Sequence, residues 1–261
     1  MDPTLGATCA ALNEEYRLVS YSLQLYTLRE HLDADLDATL RRVAQAGYQQ
    51  VEPYRIVPDP HGLASALHRH GLSAPTAHAP LLDGPLEEIF AAAAHLGAGT
   101  VIAPSSPAEA WDDPEQIKAL ASSLNEAARR ASDLGLRVGY HNHWWEFAPV
   151  AGRSALEYFA DQLYEQVVLQ IDTYWAAVAG MDPVRLLERL GSRVQSVHLK
   201  DGPINADPSA QVALGEGSMP IGALLEAAAY VPVQVVELDD HRGDMFTAVE
   251  RSLAFLQAGA R

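Results

Sequence analysis

The chain's 261 residues are 48% hydrophobic, enough to bury one large core, and fall at the size where an α/β barrel is still a single domain. A formal net charge of −16, a pI near 4.9 and the lack of any Lys/Arg run disfavour nucleic acid and anionic membrane surfaces as partners. The single cysteine, Cys9, rules out an intrachain disulfide and a cysteine-based metal site, and it fits a reducing, cytoplasmic setting.

Residues 1–16 (MDPTLGATCAALNEEY) lack the positive start and apolar run of a signal peptide, and they read as a loosely ordered tail ahead of a barrel domain over 17–261. From Leu18 onward, short runs rich in Val, Ile, Leu and Tyr alternate with longer amphipathic stretches. The expected strands are LVSYSLQLY (18–26), YQQVEPY (48–54), SAPTAHA (73–79), GTVIAPS (99–105), LRVGYHNH (136–143), VVLQIDTYW (167–175), VQSVHLKD (194–201) and VPVQVVELDD (231–240). Between them, segments such as DADLDATLRRVAQAG and DPEQIKALASSLNEAARRASDLG repeat apolar residues every three or four positions. Glycines at 47, 71, 97, 135 and 191 punctuate helix to strand. This rhythm predicts parallel strands joined by helical crossovers.

Such units can close into a barrel or remain an open, doubly wound sheet. Polar residues gather at the C-terminal ends of the strands: Gln24 and Tyr26, Glu52 and Tyr54, His78, Ser105, His141 and His143, Asp172, His198 and Lys200, Glu237 and Asp239. A barrel brings all of those ends onto one rim, and no Gly-x-Gly-x-x-Gly or P-loop supports the open alternative. The predicted fold is therefore a single (β/α)8 TIM barrel with a short N-terminal extension.

Four consecutive strand ends carry potential ligands for one divalent ion: His141 or Glu146, then Asp172, His198 and Glu237. Adjacent strands lie about 5 Å apart, so these side chains can converge. Mixed imidazole and carboxylate ligands suit Mn, Co, Mg, Fe or Zn alike. Strand alternation points His141 and His143 to one side and Asn142 to the other, and pairs His198 with Lys200. Lys200 either meets a substrate hydroxylate or phosphate, or pairs with Asp201 or Glu237 to maintain the rim. Trp144, Trp145, Trp175 and Tyr26 form an apolar wall against a sugar's C–H face or pack long loops, and Tyr54, His78 and Gln24 line the early-strand half of the rim.

The segments LGLRVGYHNHWWEF, VVLQIDTYW, VQSVHLKDG and VQVVELDD, in this order and spacing, resemble the xylose isomerase-like TIM barrels, the sugar phosphate isomerase/epimerase family, over residues 17–257. The resemblance implies one bound divalent ion held by His141, Asp172, His198 and Glu237. Many members have glutamate where this chain has His141, so the likeness is to a His-Asn-His subgroup, with Glu146 as the natural substitute at the ion. It also implies Glu146, Glu237 and His141 as the catalytic set, with His143, Lys200, Trp175, Tyr54 and His78 around a small carbohydrate. The implied chemistry is proton abstraction next to a carbonyl through an ene-diolate, giving isomerisation or epimerisation, or dehydration of a keto-sugar or cyclitol when a β-hydroxyl leaves. A barrel that binds sugar without turnover is the alternative of another class, and an endonuclease of the same fold is disfavoured by the charge. Homo-oligomerisation stays open, because an acidic surface neither requires nor forbids it.

Overall fold

Each expected strand is followed by at least one helix in a computed structural model that describes residues 20–259. The tail over 1–16, with Cys9, lies outside the described residues. In chain order the strands are β1 (Tyr21–Gln24), β2 (Gln50–Glu52), β3 (Thr76–His78), β4 (Thr100–Ala103), β5 (Arg137–His141), a hairpin of β6 (Pro149–Val150) and β7 (Arg153–Ser154), then β8 (Val168–Asp172), β9 (Val194–Leu199) and β10 (Val233–Val236). The principal helices between them are α1 (Arg29–Ala34) and α2 (Leu36–Ala46), α3 (Pro60–Arg69), α4 (Leu86–Leu96), α5 (Pro114–Ser132), α6 (Ala155–Gln162), α7 (Thr173–Val178) and α8 (Pro183–Leu190), α9 (Ile221–Ala227) and α10 (Met245–Gln257).

Apart from the hairpin, the strands form one parallel sheet in the order β2-β1-β10-β9-β8-β5-β4-β3. The ring closes where β2 meets β3, through an isolated parallel bridge between Gln50 and Ser73 and the hydrogen bond from Val51 N to Ser73 O, 2.9 Å. The chain is thus a (β/α)8 barrel. Local chemistry starts and stops its helices: Asp35 caps α2 by accepting from Ala38 N, and Gly47 ends it at φ 105°, a backbone conformation that favours glycine.

All the expected strands are shorter than their sequence suggested, and one of them shows why. VVLQIDTYW stays extended only to Asp172, and Thr173 begins α7. The reason is Asp172 itself, whose Oδ1 accepts from Trp175 N at 2.9 Å and caps the helix. Its other oxygen is thereby freed for the barrel interior. Among the described residues no helix is long and apolar enough to cross a membrane.

Register places the future site side by side. Gln24 lies beside Glu52, His141 beside Gln170, Asp172 beside His198, and His198 beside Val235. Outward residues such as Val138, Ile171 and Val197 pack beneath the helices, while part of the barrel interior is polar: Gln24, Glu52, Thr76, Gln170 and Ser196 are all buried.

Candidate active site

The polar interior works as a pedestal, and Glu52 is its hub. Its Oε1 accepts from Gln24 Nε2 (2.8 Å) and His198 Nε2 (2.7 Å) and lies 3.0 Å from His78 Nε2; its Oε2 accepts from Thr76 Oγ1 and Gln170 Nε2. Burial alone would push the Glu52 carboxyl up, but the His78 and His198 rings outweigh it and hold the group well below the usual carboxylate range.

A carboxylate only accepts, so Glu52 fixes which end of Gln170 faces it. Gln170 Nε2 donates to Glu52 and to Ser196 Oγ, and Gln170 Oε1 must then accept, from His78 Nε2 at 2.7 Å and His141 Nδ1 at 3.0 Å. His141 therefore carries its proton on Nδ1. Burial, reinforced by neighbouring rings, pushes its pKa well down, leaving a neutral imidazole with a free lone pair on Nε2. That nitrogen lies 3.7 Å from Asp172 Oδ2.

His141, Asp172, His198 and Glu237 each offer an atom within 4.8 Å of the others, and all four are buried. Glu146 is outside this group. A short 3₁₀ turn at Trp145–Phe147 carries it back toward the outer face of β5, where it accepts from Tyr140 OH (2.9 Å) and His143 N (2.8 Å). The sequence left His141 and Glu146 as alternatives at the ion; the fold brings His141 to the group and Glu146 to Tyr140. Burial pushes Glu146 up to about 8.

Lys200 is equally enclosed. Its Nζ stands 2.8 Å from Asp172 Oδ2, 2.8 Å from Glu237 Oε2 and 2.7 Å from Asp239 Oδ2, and the residue is 1% exposed. Asp201, a partner considered from sequence, instead accepts from the backbone N–H groups of Gly202, Gly215, Gly217 and Met219 and folds the loop after β9. That loop delivers Gln211, a residue the sequence gave no reason to single out, whose amide clasps Asp239 through bonds of 2.7 and 2.8 Å.

The donor set fits a divalent ion on three counts. Asp172 Oδ2 is buried and, beyond its ion pair with Lys200 Nζ at 2.8 Å, has no hydrogen-bond partner. His141 Nε2 is a free acceptor. Carboxylates also outnumber cations, with Glu52, Asp172, Glu237 and Asp239 set against Lys200 and His198; the latter is pushed up to about 10 because Glu237 and Glu52 overcome its burial, and an ion would take the place of the Nδ1 proton it shares with Glu237 Oε2 at 2.5 Å. A second convergence, of His78, His141 and His198, contains no carboxylate to offset the charge of a divalent ion.

Above the group opens a cavity of about 840 Å³. Tyr54, His78, His141, His143, Trp175 and Glu237 line it, whereas Asp172, His198, Lys200 and Glu146 lie behind its wall. His143 stacks on Trp145 at 4.4 Å, and burial pushes it down to about 3, so it presents a neutral ring.

Fold and site together define a (β/α)8 barrel with a buried imidazole and carboxylate group at its C-terminal mouth. The chain belongs to the xylose isomerase-like TIM barrel family, whose model matches residues 40–258. Part of it is similar to the inosose dehydratase of Clostridium beijerinckii, with 30% identity over 114 residues, 43% of this chain and 37% of that protein. The inosose dehydratase of Geobacillus kaustophilus is 38% identical over 89 residues, 32% of this chain and 27% of that protein. Both alignments span little more than a third of the relatives' length or less. A sugar phosphate isomerase/epimerase from Parabacteroides distasonis shares the fold at a TM-score of 0.79, with 23% identity over 92% of this chain and 93% of that one.

Proposed function

We propose that the protein is a divalent-metal-dependent enzyme that moves a proton next to the carbonyl of a small carbohydrate, as an isomerase or epimerase. The observation carrying this reading is the convergence of four buried side chains, His141, Asp172, His198 and Glu237, with the His141 tautomer fixed so that its Nε2 lone pair is free. A divalent ion held by these residues would supply polarisation of a substrate carbonyl and charge stabilisation as the neighbouring carbon loses its proton.

The chain's own groups have separable roles in this proposal. Glu237 is the carboxylate of the group that faces the cavity; Lys200 and His198 hold it ionised against its burial, and it accepts the proton. Glu52 and Gln170 orient His198 and His141 from below, so that neither ring can turn without breaking a buried hydrogen bond. Glu146 acts through His143, whose backbone N–H it holds, and thereby sets the wall on which the substrate rests. Trp175 and Tyr54 face the cavity as substrate contacts, and Lys200 serves as the internal counter-ion of Asp172, Glu237 and Asp239.

Dehydration of a keto-sugar or cyclitol is the second reading, favoured by the 30% and 38% identity to inosose dehydratases. Removal of the same proton begins both reactions, and they part at whether a β-hydroxyl leaves. The test is metal analysis of the purified protein followed by incubation with ketoses and inososes in D₂O. About one equivalent of divalent metal and deuterium beside the carbonyl are expected; an added loss of water selects the dehydratase. Metal-loaded protein that exchanges no proton across the panel would leave a barrel that binds without turnover.

A further inference from the structure

We infer that the substrate is a keto-sugar acid, with its carbonyl end at the His141–Glu237 side of the cavity and one carboxylate, remote from that carbonyl, held by Arg29 and Arg55. The inference rests on the proton-transfer reading above and narrows it to a substrate class.

Strand order gives the cavity two unlike sides. His141, Asp172, His198 and Glu237 come from the ends of β5, β8, β9 and β10, which are consecutive in the ring; β1 and β2 come next and supply none of that group. Tyr26 and Arg29 follow β1, Tyr54 and Arg55 follow β2, and all four line the cavity. They form a continuous ladder. Arg29 Cζ stands 4.5 Å from the centre of the Tyr26 ring, Tyr26 meets Tyr54 edge-on at 5.3 Å, and Arg55 Cζ stands 5.2 Å from the centre of the Tyr54 ring. This side of the mouth therefore presents positive charge laid over the tyrosines. Burial pushes the Tyr54 hydroxyl up while both guanidinium groups pull it down, so the two cations act about one hydroxyl.

Both guanidinium groups keep the edge that a carboxylate needs. Arg29 is half-buried, and its Nη1 donates to the carbonyls of Tyr26 (3.1 Å) and Asp239 (2.9 Å), which fix the group in place without cancelling its charge. Its Nε and Nη2, the fork that meets a carboxylate with two parallel bonds, donate to none of the described residues. Arg55 repeats the pattern: Nη1 lies 3.3 Å from Asp33 Oδ1, and the Nε–Nη2 fork has no partner among the described residues. With side chains 64% and 66% exposed, that pair is weak enough to yield to a ligand. Arg55 also holds a φ of 51°, a left-handed backbone that is costly for this residue type and that clusters at ligand clamps. The charge count selects a monoanion. Asp33 beside Arg55, with Asp239 and Asp240 on the cavity wall, already offsets much of the two positive charges, so a dianionic phosphate would meet net repulsion. Because the arginines lie on the arc without ion-holding residues, the carboxylate belongs at the chain end away from the carbonyl, and the cavity of about 840 Å³ has volume enough for a six-carbon acid.

The experiment is calorimetric titration of the protein, equilibrated with Mn²⁺, against matched ligands that differ only at the terminus remote from the carbonyl. One set is fructose, fructuronate and fructose 6-phosphate; the other is tagatose, tagaturonate and tagatose 6-phosphate. In at least one set the keto-acid is expected to bind about tenfold more tightly than the neutral ketose, and more tightly than the phosphate. Arg29→Lys keeps a donor for the two carbonyls and loses the fork, and Arg55→Asn suits the left-handed backbone and loses the charge. Each is expected to remove most of the preference, read as the ratio of keto-acid to ketose affinity. Arg55 is exposed, so its replacement leaves the core closed and decides the matter should Arg29→Lys fail to fold. A keto-acid bound no better than its ketose, a phosphate bound more tightly than the keto-acid, no keto-acid binding at millimolar concentration, or a preference that survives Arg55→Asn would each overturn the inference. Failure of the two readings is distinguishable. A keto-acid preference without proton exchange in D₂O removes the proposed reaction and keeps the substrate class, and exchange into neutral ketoses without that preference does the reverse.

Discussion

Replacing Lys200 by methionine keeps the length of the side chain and removes its charge from among Asp172, Glu237 and Asp239, each within 2.8 Å of Nζ. Lys200 is 1% exposed and Asp172 is fully buried, so water cannot take over the role of the ammonium. Removing one partner of a buried ionic cluster costs about 3–5 kcal/mol, because the remaining charges are left uncompensated in a poor solvent. For a chain of this size that corresponds to a fall in melting temperature on the order of 10 °C. The assay is thermal and urea unfolding of chelator-treated K200M beside wild type, repeated with added Mn²⁺. K200M should unfold well below wild type without metal, and Mn²⁺ should stabilise it by more than it stabilises wild type, since the variant carries the larger uncompensated negative charge. If chelated K200M melts within about a degree of wild type and instead loses affinity for substrate, Lys200 is a substrate cation and the electrostatic account of the group is wrong.

The raised Glu146 carboxyl makes stability fall with pH: between the ordinary 4.5 and about 8 the folded state holds a proton that the unfolded chain has released. The loss is about 1.4 kcal/mol for each pH unit in that window, and Glu146→Gln should flatten it in urea melts at pH 5 and pH 8; parallel curves for the two proteins would refute the assignment. His141→Ala should lose bound metal on dialysis while Glu146→Ala retains it, read by elemental analysis, and the opposite pattern would put Glu146 at the ion. At Gly139 an added Cβ would lie 3.0 Å from Val168 Cγ2, 3.2 Å from Val168 O and 3.3 Å from Ile102 Cγ1. Overpacking of this kind costs about 1–3 kcal/mol, so Gly139→Ala should melt several degrees lower and weaken metal retention by displacing His141; unchanged melting would mean that β4, β5 and β8 have slack.

The barrel was legible because two sequence signals agreed. Apolar runs gave the strands, and the polar residues closing them named the end at which a site could form. Where the reading overran, as at Thr173–Trp175, a side chain chose the outcome: Asp172 caps α7, and a capping oxygen cannot be told from a strand-end oxygen by residue type. The His141 and Glu146 alternatives could not be separated for a similar reason. Both lie within one short segment, and the Tyr140 hydroxyl to which the 3₁₀ turn sends Glu146 is itself held by Ser106, in turn bonded by Trp111, both from the preceding strand-helix unit.

The pedestal was the larger omission, and its signal was present. In a strand, residue i−2 lies on the same face one layer deeper. Thr76 precedes His78 by two, Gln170 precedes Asp172, and Ser196 precedes His198. Polar residues spaced in this way inside strands that must be buried on both faces are costly unless they bond to one another. Here they do, through Glu52 and Gln170. Reading strand-end polarity alone therefore finds the atoms that face a ligand, whereas reading the i−2 positions finds what decides their tautomers. For His141 that deeper layer carries the chemical information: Gln170 Oε1 accepts from Nδ1–H, which keeps the proton there and leaves Nε2 available beside Asp172.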